Sequence, residues 1–273
     1  MGITELLEGV AGTGEFGVWL GRMDGTAVFT ADADRTHYSA STMKLPVAIA
    51  MMREVEAGRL DLDQKITVHN DFPSAAGGRF GLTEANDDSK TVWQEMGNEV
   101  TLRWVATNMI TVSGNLATDL VLDLVGIDKA NAVLAEFGSG RSVIQRGIDD
   151  VRARDAGINN VMSPADLAAV LVAVGNNKAA SAGSCTYLRD LLAANEWNDE
   201  IPKLLPAGTR VEHKNGWDDR VRHDGGIVRP ADADPFVLAV CTSSSLPEAT
   251  AQALIADIAA AAFAHRHDLA AVR

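Results

Sequence analysis

Residues 38–56 read Tyr38-Ser-Ala-Ser41-Thr-Met-Lys44-Leu-Pro-Val-Ala-Ile-Ala-Met-Met52-Arg-Glu-Val-Glu56, and the rest of the chain falls into place around them. From Leu45 to Met52 the run is almost wholly apolar, so a buried helix is expected from Met43 to Glu56, ending near Gly58. Pro46 falls in its first turns, where a missing N–H costs least. Positions i and i+3 share a helix face, which brings the Lys44 amine within reach of the Ser41 hydroxyl. The plain alternative, a helix cap followed by a solvated lysine, sits poorly with so apolar a helix.

Working outward, Ile3 to Val10 reads as a short amphipathic helix. Phe16-Gly-Val-Trp-Leu20 and Thr26-Ala-Val-Phe-Thr30 alternate as strands, with Met23-Asp-Gly25 as the hairpin turn. Val68 to Gly97 is rich in Gly, Asp, Ser and Asn and reads as a long ordered loop, a kind of segment that often carries function. Helical periodicity follows at Leu102 to Thr111, Asn115 to Val125 and Lys129 to Phe137. Ser142 to Asn160 is polar and weakly patterned. Ser163-Pro-Ala-Asp166 caps a helix reaching Val174, and another spans roughly Ala182 to Asn195. Strands return at Arg210 to Lys214, Gly226 to Arg229 and Phe236 to Thr242, before an Ala-rich closing helix from Pro247 to Ala264. Strands at both ends with helices between them imply an α+β fold: one antiparallel sheet built from both chain ends, with a helical lobe inserted. Residues 1–40 and 206–273 are assigned to the sheet-plus-helix lobe and 41–205 to the helical lobe, with the site in the cleft between them.

The chain has 273 residues, 47% apolar and 22% charged, and a formal net charge of −13. That acidity argues against nucleic acid or an anionic membrane as partner. The longest apolar runs also stop well short of a membrane span. A monomer or weak homo-oligomer acting on a small molecule is expected. Met1 to Val10 lacks the basic start of a signal peptide, so the chain is cytoplasmic if residue 1 is the native start and otherwise periplasmic or secreted with its leader removed. Cys185 and Cys241 are expected to be buried thiols rather than a disulfide. His213 and His223 form no metal set with a carboxylate, His265-Arg-His267 reads as an exposed helix end, and no metal or cofactor is expected.

Three short motifs stand in order: Ser41-Thr-Met-Lys44, Ser113-Gly-Asn115 and Lys214-Asn-Gly216. A serine hydroxyl is a weak nucleophile and needs a base to take its proton. Lys44 serves only if burial or a nearby cation lowers its pKa. Lys214 supplies such a cation and would draw in an anionic substrate. Ser113, between the two lysines, is placed to relay a proton to a leaving nitrogen. Asn115 offers an amide to Lys44 and to a substrate amide. The backbone N–H groups of Ser41 and Trp217 are the candidate oxyanion donors, and Gly216 lets the strand approach the substrate closely. Either Arg220 or Arg222 is a candidate for a substrate carboxylate, or is a solvated arginine. Trp93 and Phe72 are candidates for the cleft wall or for the core.

These stretches resemble the serine β-lactamases of class A and their penicillin-binding relatives. The likeness runs through Tyr38-Ser-Ala-Ser-Thr-Met-Lys44, through Met109-Ile-Thr-Val-Ser-Gly-Asn-Leu-Ala-Thr-Asp119 into Leu-Val-Leu-Asp-Leu-Val-Gly126, and through His213-Lys-Asn-Gly216 with Asp224-Gly-Gly-Ile-Val228. It spans nearly the whole chain. It implies a five-stranded antiparallel sheet with flanking helices beside an all-helical lobe. It also implies acylation of a serine by an amide, usually the strained β-lactam ring, followed by hydrolysis. The middle residues Gly114 and Asn215 depart mildly from the family motifs; Asn215 still offers hydrogen bonds to a substrate carboxylate. The larger departure lies between Ser142 and Asn160, where efficient members carry a water-activating glutamate and this chain has none. Asp149 and Asp150 are the nearest carboxylates, and salt bridging to Arg146, Arg152 or Arg154 is their expected role. The expected function is a β-lactamase-like serine hydrolase acylated at Ser41. The alternatives are a D-alanyl peptidase or esterase with slow β-lactam release, and a sensor that stays acylated.

Overall fold

A computed structural model describes residues 2–269. Strands β1 (Gly14–Arg22) and β2 (Ala27–Ala31) form the N-terminal hairpin, whose turn is held by the Asp24 carboxylate accepting the Thr26 N–H at 2.8 Å. Strands β3 (Arg210–Asp218), β4 (Val221–Arg229) and β5 (Phe236–Ser244) come from the other end of the chain. The five make one antiparallel sheet in the order β2-β1-β5-β4-β3, with Val18 opposite Val240 and Lys214 opposite Gly225.

β5 reads as an unbroken apolar run because both of its faces are covered. Phe236, Leu238 and Val240 join Val18, Leu20 and Val228 against Leu254, Ile255 and Ile258 of the closing helix. Val237, Ala239 and Cys241 face the other way, into a larger cluster with Trp19, Leu167 and Leu171. The helices are α1 (Ile3–Gly9), α2 (Lys44–Glu56), α3 (Leu102–Thr111), α4 (Asn115–Val125), α5 (Ile127–Phe137), α6 (Pro164–Gly175), α7 (Ala182–Ala193) and α8 (Glu248–Ala264). Every residue of α2 from Leu45 to Met52 is buried, so its pattern is apolar all round rather than striped. Among the described residues no helix is long and apolar enough to cross a membrane. Cys185 and Cys241 are buried free thiols.

Several expected boundaries shift. The α2 helix is entered through a 3-10 turn at Ala40–Met43. β3 does not stop at Lys214 but carries Asn215 and Gly216 through to Asp218, and the chain reverses at Asp219 and Arg220, the latter at φ +60°. β4 starts at Val221 rather than Gly226, because the Gly225-Gly226 pair does not break the strand. A Cβ at Gly225 would lie 2.5 Å from Leu167 of α6, so glycine there lets the helix seat on the sheet. The Val68–Gly97 stretch holds a small hairpin, Phe72–Pro73 with Arg79–Phe80, and a short helix at Lys90–Gln94. Another short helix, Val151–Asp155, forms within Ser142–Asn160.

Candidate active site

Ser41 sits on the 3-10 turn that opens α2. The approach is fixed by Tyr38, which pairs with Val161, and by the Ser39 N–H donating to Asn160 O at 3.0 Å. Ala40 then takes φ +43°, a left-handed conformation that an L-residue holds only when its surroundings over-determine it. Ser41 is left 8% exposed. β3 passes directly across this turn: a Cβ at Gly216 would lie 2.7 Å from the Ser41 nitrogen and 3.1 Å from that of Thr42. Only glycine allows the two backbones to come so close.

The second motif is the link between α3 and α4. Ser113 has φ +66° and Gly114 packs under Ser89, where a Cβ would come within 2.7 Å of the Ser89 Cβ. That contact accounts for the glycine in the middle of Ser113-Gly-Asn115. The start of α4 is capped from a distance by Asp87, whose carboxylate accepts the N–H groups of Asn115 and Leu116, each at 2.8 Å. A carboxylate there complements both the free N–H groups and the helix dipole.

Lys44, Ser113 and Lys214 converge, all with zero exposure. Lys44 Nζ donates to Ser113 O at 2.5 Å, Ser113 Oγ at 3.2 Å and Asn115 Oδ1 at 2.8 Å. Lys214 Nζ donates to the same Ser113 Oγ at 3.1 Å, and to Asn215 O and Oδ1 at 3.0 and 3.3 Å. Ser113 Oγ is therefore bracketed by two amines. Among the described residues the hydrogen bonds of Lys44 go to Ser113 and Asn115 rather than to Ser41. Burial pushes the Lys44 amine down to about 8, against the pull of nearby aspartates. Burial and the neighbouring Lys44 push Lys214 down to about 7. Both are far enough below an ordinary lysine for a neutral amine to exist near neutral pH.

Ser41 opens onto a cavity of about 420 Å³ walled by Tyr38, Asp88, Asn115, Asp149 and Trp217. A larger, more open hollow of about 1010 Å³ lies around Asp32–Thr36 and Arg141, away from all of these groups. Asp149 and Asp150 do not pair with Arg146, Arg152 or Arg154 among the described residues, contrary to expectation. Asp150 caps the Val151–Asp155 helix, accepting from Ala153 N at 3.0 Å and from Ser74 Oγ and Ala75 N at 2.9 Å. Asp149, the adjacent residue, turns to the cleft and accepts from Asn115 Nδ2 at 3.2 Å. Burial raises its pKa, and that of Asp88 likewise. Arg146 is buried and donates to the carbonyls of Gly147, Ile148 and Ile158, while Arg154 pairs with Asp155.

The remaining candidates divide. Trp217 is on the cavity wall, edge-to-face with Trp197 at 5.3 Å. Asn215 is fully buried and its amide is taken up by protein partners: Nδ2 donates to Trp197 O at 3.2 Å and to Glu200 at 3.1 Å. Arg222 is held by Glu200 and Glu248. Arg220 stands at the exposed hairpin tip, outside the Ser41 cavity. Phe72 packs on Phe80 along a different cavity, and Trp93 donates its indole N–H to Asp87 at 2.9 Å, so neither walls the cleft. His213 pairs with Asp224, and His265 is exposed beyond α8. Sequence reading missed Asp87, Asp88 and Glu200, which meet the site only through long-range packing.

Set against known proteins, residues 2–266 match the model of the β-lactamase enzyme family. The extended-spectrum β-lactamase PER-1 of Pseudomonas aeruginosa is 25% identical over 235 residues, covering 82% of this chain and 73% of that protein. Among solved structures, a β-lactamase from Sphaerobacter thermophilus superposes with a TM-score of 0.84 at 28% identity, over 98% of this chain and 97% of its own. PBP-A superposes with a TM-score of 0.79 at 23% identity, over 96% of this chain and 93% of its own, a likeness of fold.

Proposed function

Because the chain belongs to the β-lactamase enzyme family and is a β-lactamase-like serine hydrolase, we propose that Ser41 is its nucleophile and that the groups converging on Ser113 carry the protons. Neutral Lys44 takes the Ser41 proton as Oγ attacks the carbonyl carbon of the substrate amide. The N–H groups of Ser41 and Trp217 receive the developing oxyanion. When the C–N bond breaks, the Ser113 hydroxyl gives its proton to the leaving nitrogen and is resupplied by the Lys44 ammonium that the attack has just formed. The observation that carries this reading is Ser113 Oγ lying 3.2 Å from Lys44 Nζ and 3.1 Å from Lys214 Nζ. The site residues come from both parts of the chain, which supports reading 1–40 with 206–273 as one lobe and 41–205 as the other.

Release of the acyl group needs water activated near Ser41. Asp149 is the carboxylate proposed for that task. It shares the cavity with Ser41, is held by Asn115, and is buried enough to accept a proton readily. Water then adds to the ester carbonyl as its proton passes to Asp149, and when the C–O bond breaks that proton is returned to Ser41 Oγ, leaving Asp149 ionised and Lys44 neutral again. The second reading, a D-alanyl peptidase or esterase that frees β-lactam adducts slowly, is favoured by the lack of glutamate between Ser142 and Asn160 and by the shorter reach of aspartate. Intact-mass measurement with a penicillin-type acylating probe tests the core of the proposal. The native protein should gain one adduct and Ser41→Ala none; an adduct on Ser41→Ala would overturn it.

A further inference from the structure

Around β3, the groups that would meet a carboxylate on a bound substrate are already committed. Arg222 projects from β4 opposite Trp217, is 7% exposed, and lies with its guanidinium 5.5 Å from the centre of the Trp217 ring. Its Nη1 donates to Glu200 at 3.4 Å and its Nη2 to Glu248. Glu200 is 1% exposed and also accepts from Asn215 Nδ2 at 3.1 Å. The Asn215 Oδ1 accepts from Asn195 and Lys214, each at 3.3 Å. The three N–H groups of the Lys214 ammonium are matched by Ser113 Oγ, Asn215 O and Asn215 Oδ1.

What faces the substrate in excess is negative. Asp88, Asp149 and Asp218 line the Ser41 cavity against Arg146 and Arg154, an excess of one carboxylate. An adjoining cavity of about 250 Å³, sharing Asp88 and Trp217 with it, is lined by Asp199, Glu200 and Glu248 as well as Arg222. Arg220 lies in a neighbouring hollow beside Asp218 and Asp219, which shares Trp217 and Asp218 with the Ser41 cavity but does not bring Arg220 onto that cavity's wall.

We propose that Glu200 and Glu248 set the substrate preference of this site by occupying Arg222, so that the cleft favours acyl donors that are neutral or cationic beside β3 over those bearing a carboxylate there. An anionic group in that position must either displace Glu248 from the guanidinium or lie against Asp88 and Glu200, and like charges in a partly desolvated cleft are strongly disfavoured. Glu248 is the adjustable member of the pair. Its side chain is 70% exposed at the first turn of α8, so it can be changed without disturbing the core.

This inference rests on acylation at Ser41. The test compares acylation of the native protein by benzylpenicillin and by its methyl ester, following the adduct by intact mass. The ester is expected to acylate at least as fast as the free acid. In Glu248→Gln the acid-to-ester rate ratio should rise about tenfold, and in Glu200→Gln it should rise as well. A free acid that reacts about tenfold faster than its ester in the native protein, or a ratio that Glu248→Gln leaves unmoved, would overturn the preference alone. Absence of an adduct from both compounds would instead overturn the acylation reading beneath it.

Discussion

Lys44 is useful as a base only in its neutral form, and the neutral fraction grows as pH rises. With its pKa lowered by burial from 10.5 to about 8, acylation by a neutral acyl donor should climb with pH and level off near 8. A rate still climbing toward the ordinary lysine value would show that Lys44 is not the base. Asp149→Asn removes the proposed water activator while keeping an acceptor for Asn115. It should leave the adduct forming and lengthen its lifetime on the order of a hundredfold, read as the decay of the adduct mass with time. An unchanged lifetime would remove Asp149 from the release step. At this scale Ser41, Lys44, Ser113 and Lys214 were legible because spacing on a helix, at a loop and along a strand constrains them locally. Asp149 was misread as a salt-bridge partner because two adjacent aspartates look alike in sequence. Only the capping of Val151–Asp155 by Asp150 decides that its neighbour turns to the cleft.

Between elements, the decisive contact is β3 against the turn that carries Ser41. Gly216→Ala would push a methyl group into the backbone nitrogens of Ser41 and Thr42. Because one of those nitrogens is a proposed oxyanion donor, acylation should fall by about two orders of magnitude. Far-ultraviolet circular dichroism should stay native, and full acylation by the variant would place the oxyanion donors elsewhere. Helices were read more accurately than strands. Leu102–Thr111 and Asn115–Val125 have the limits that their periodicity predicts, since each presents an apolar face and ends at a cap or a glycine. β3 and β4 were read short because Asn-Gly and Gly-Gly resemble turns; here Gly216 and Gly225 answer to turn and helix packing from outside the sheet, and Gly226 to the neighbouring strand at Glu212 and His213.

Over the whole molecule, sheet order is the feature that separates early from late structure. β1 pairs on one side with its hairpin partner β2 and on the other with β5, so Val18 meets Val240. That pairing was foreseeable from strands at both chain ends, but its register was not, because apolar residues on both faces of β5 leave no alternation to read. Contacts so distant along the chain form slowly compared with helices. In refolding from urea, the capacity to take up a penicillin adduct should therefore lag the return of the helical signal. Simultaneous recovery of the two would show that the helices do not precede the sheet. During synthesis on a ribosome the same order acts in time: Ser41, Lys44 and Ser113 emerge first and wait through about a hundred further residues for Lys214, 101 positions beyond Ser113. Until β5 arrives to zip the first strand to the last, the nascent chain carries its nucleophile unarmed, so a truncated product of this gene should be chemically inert rather than half-active.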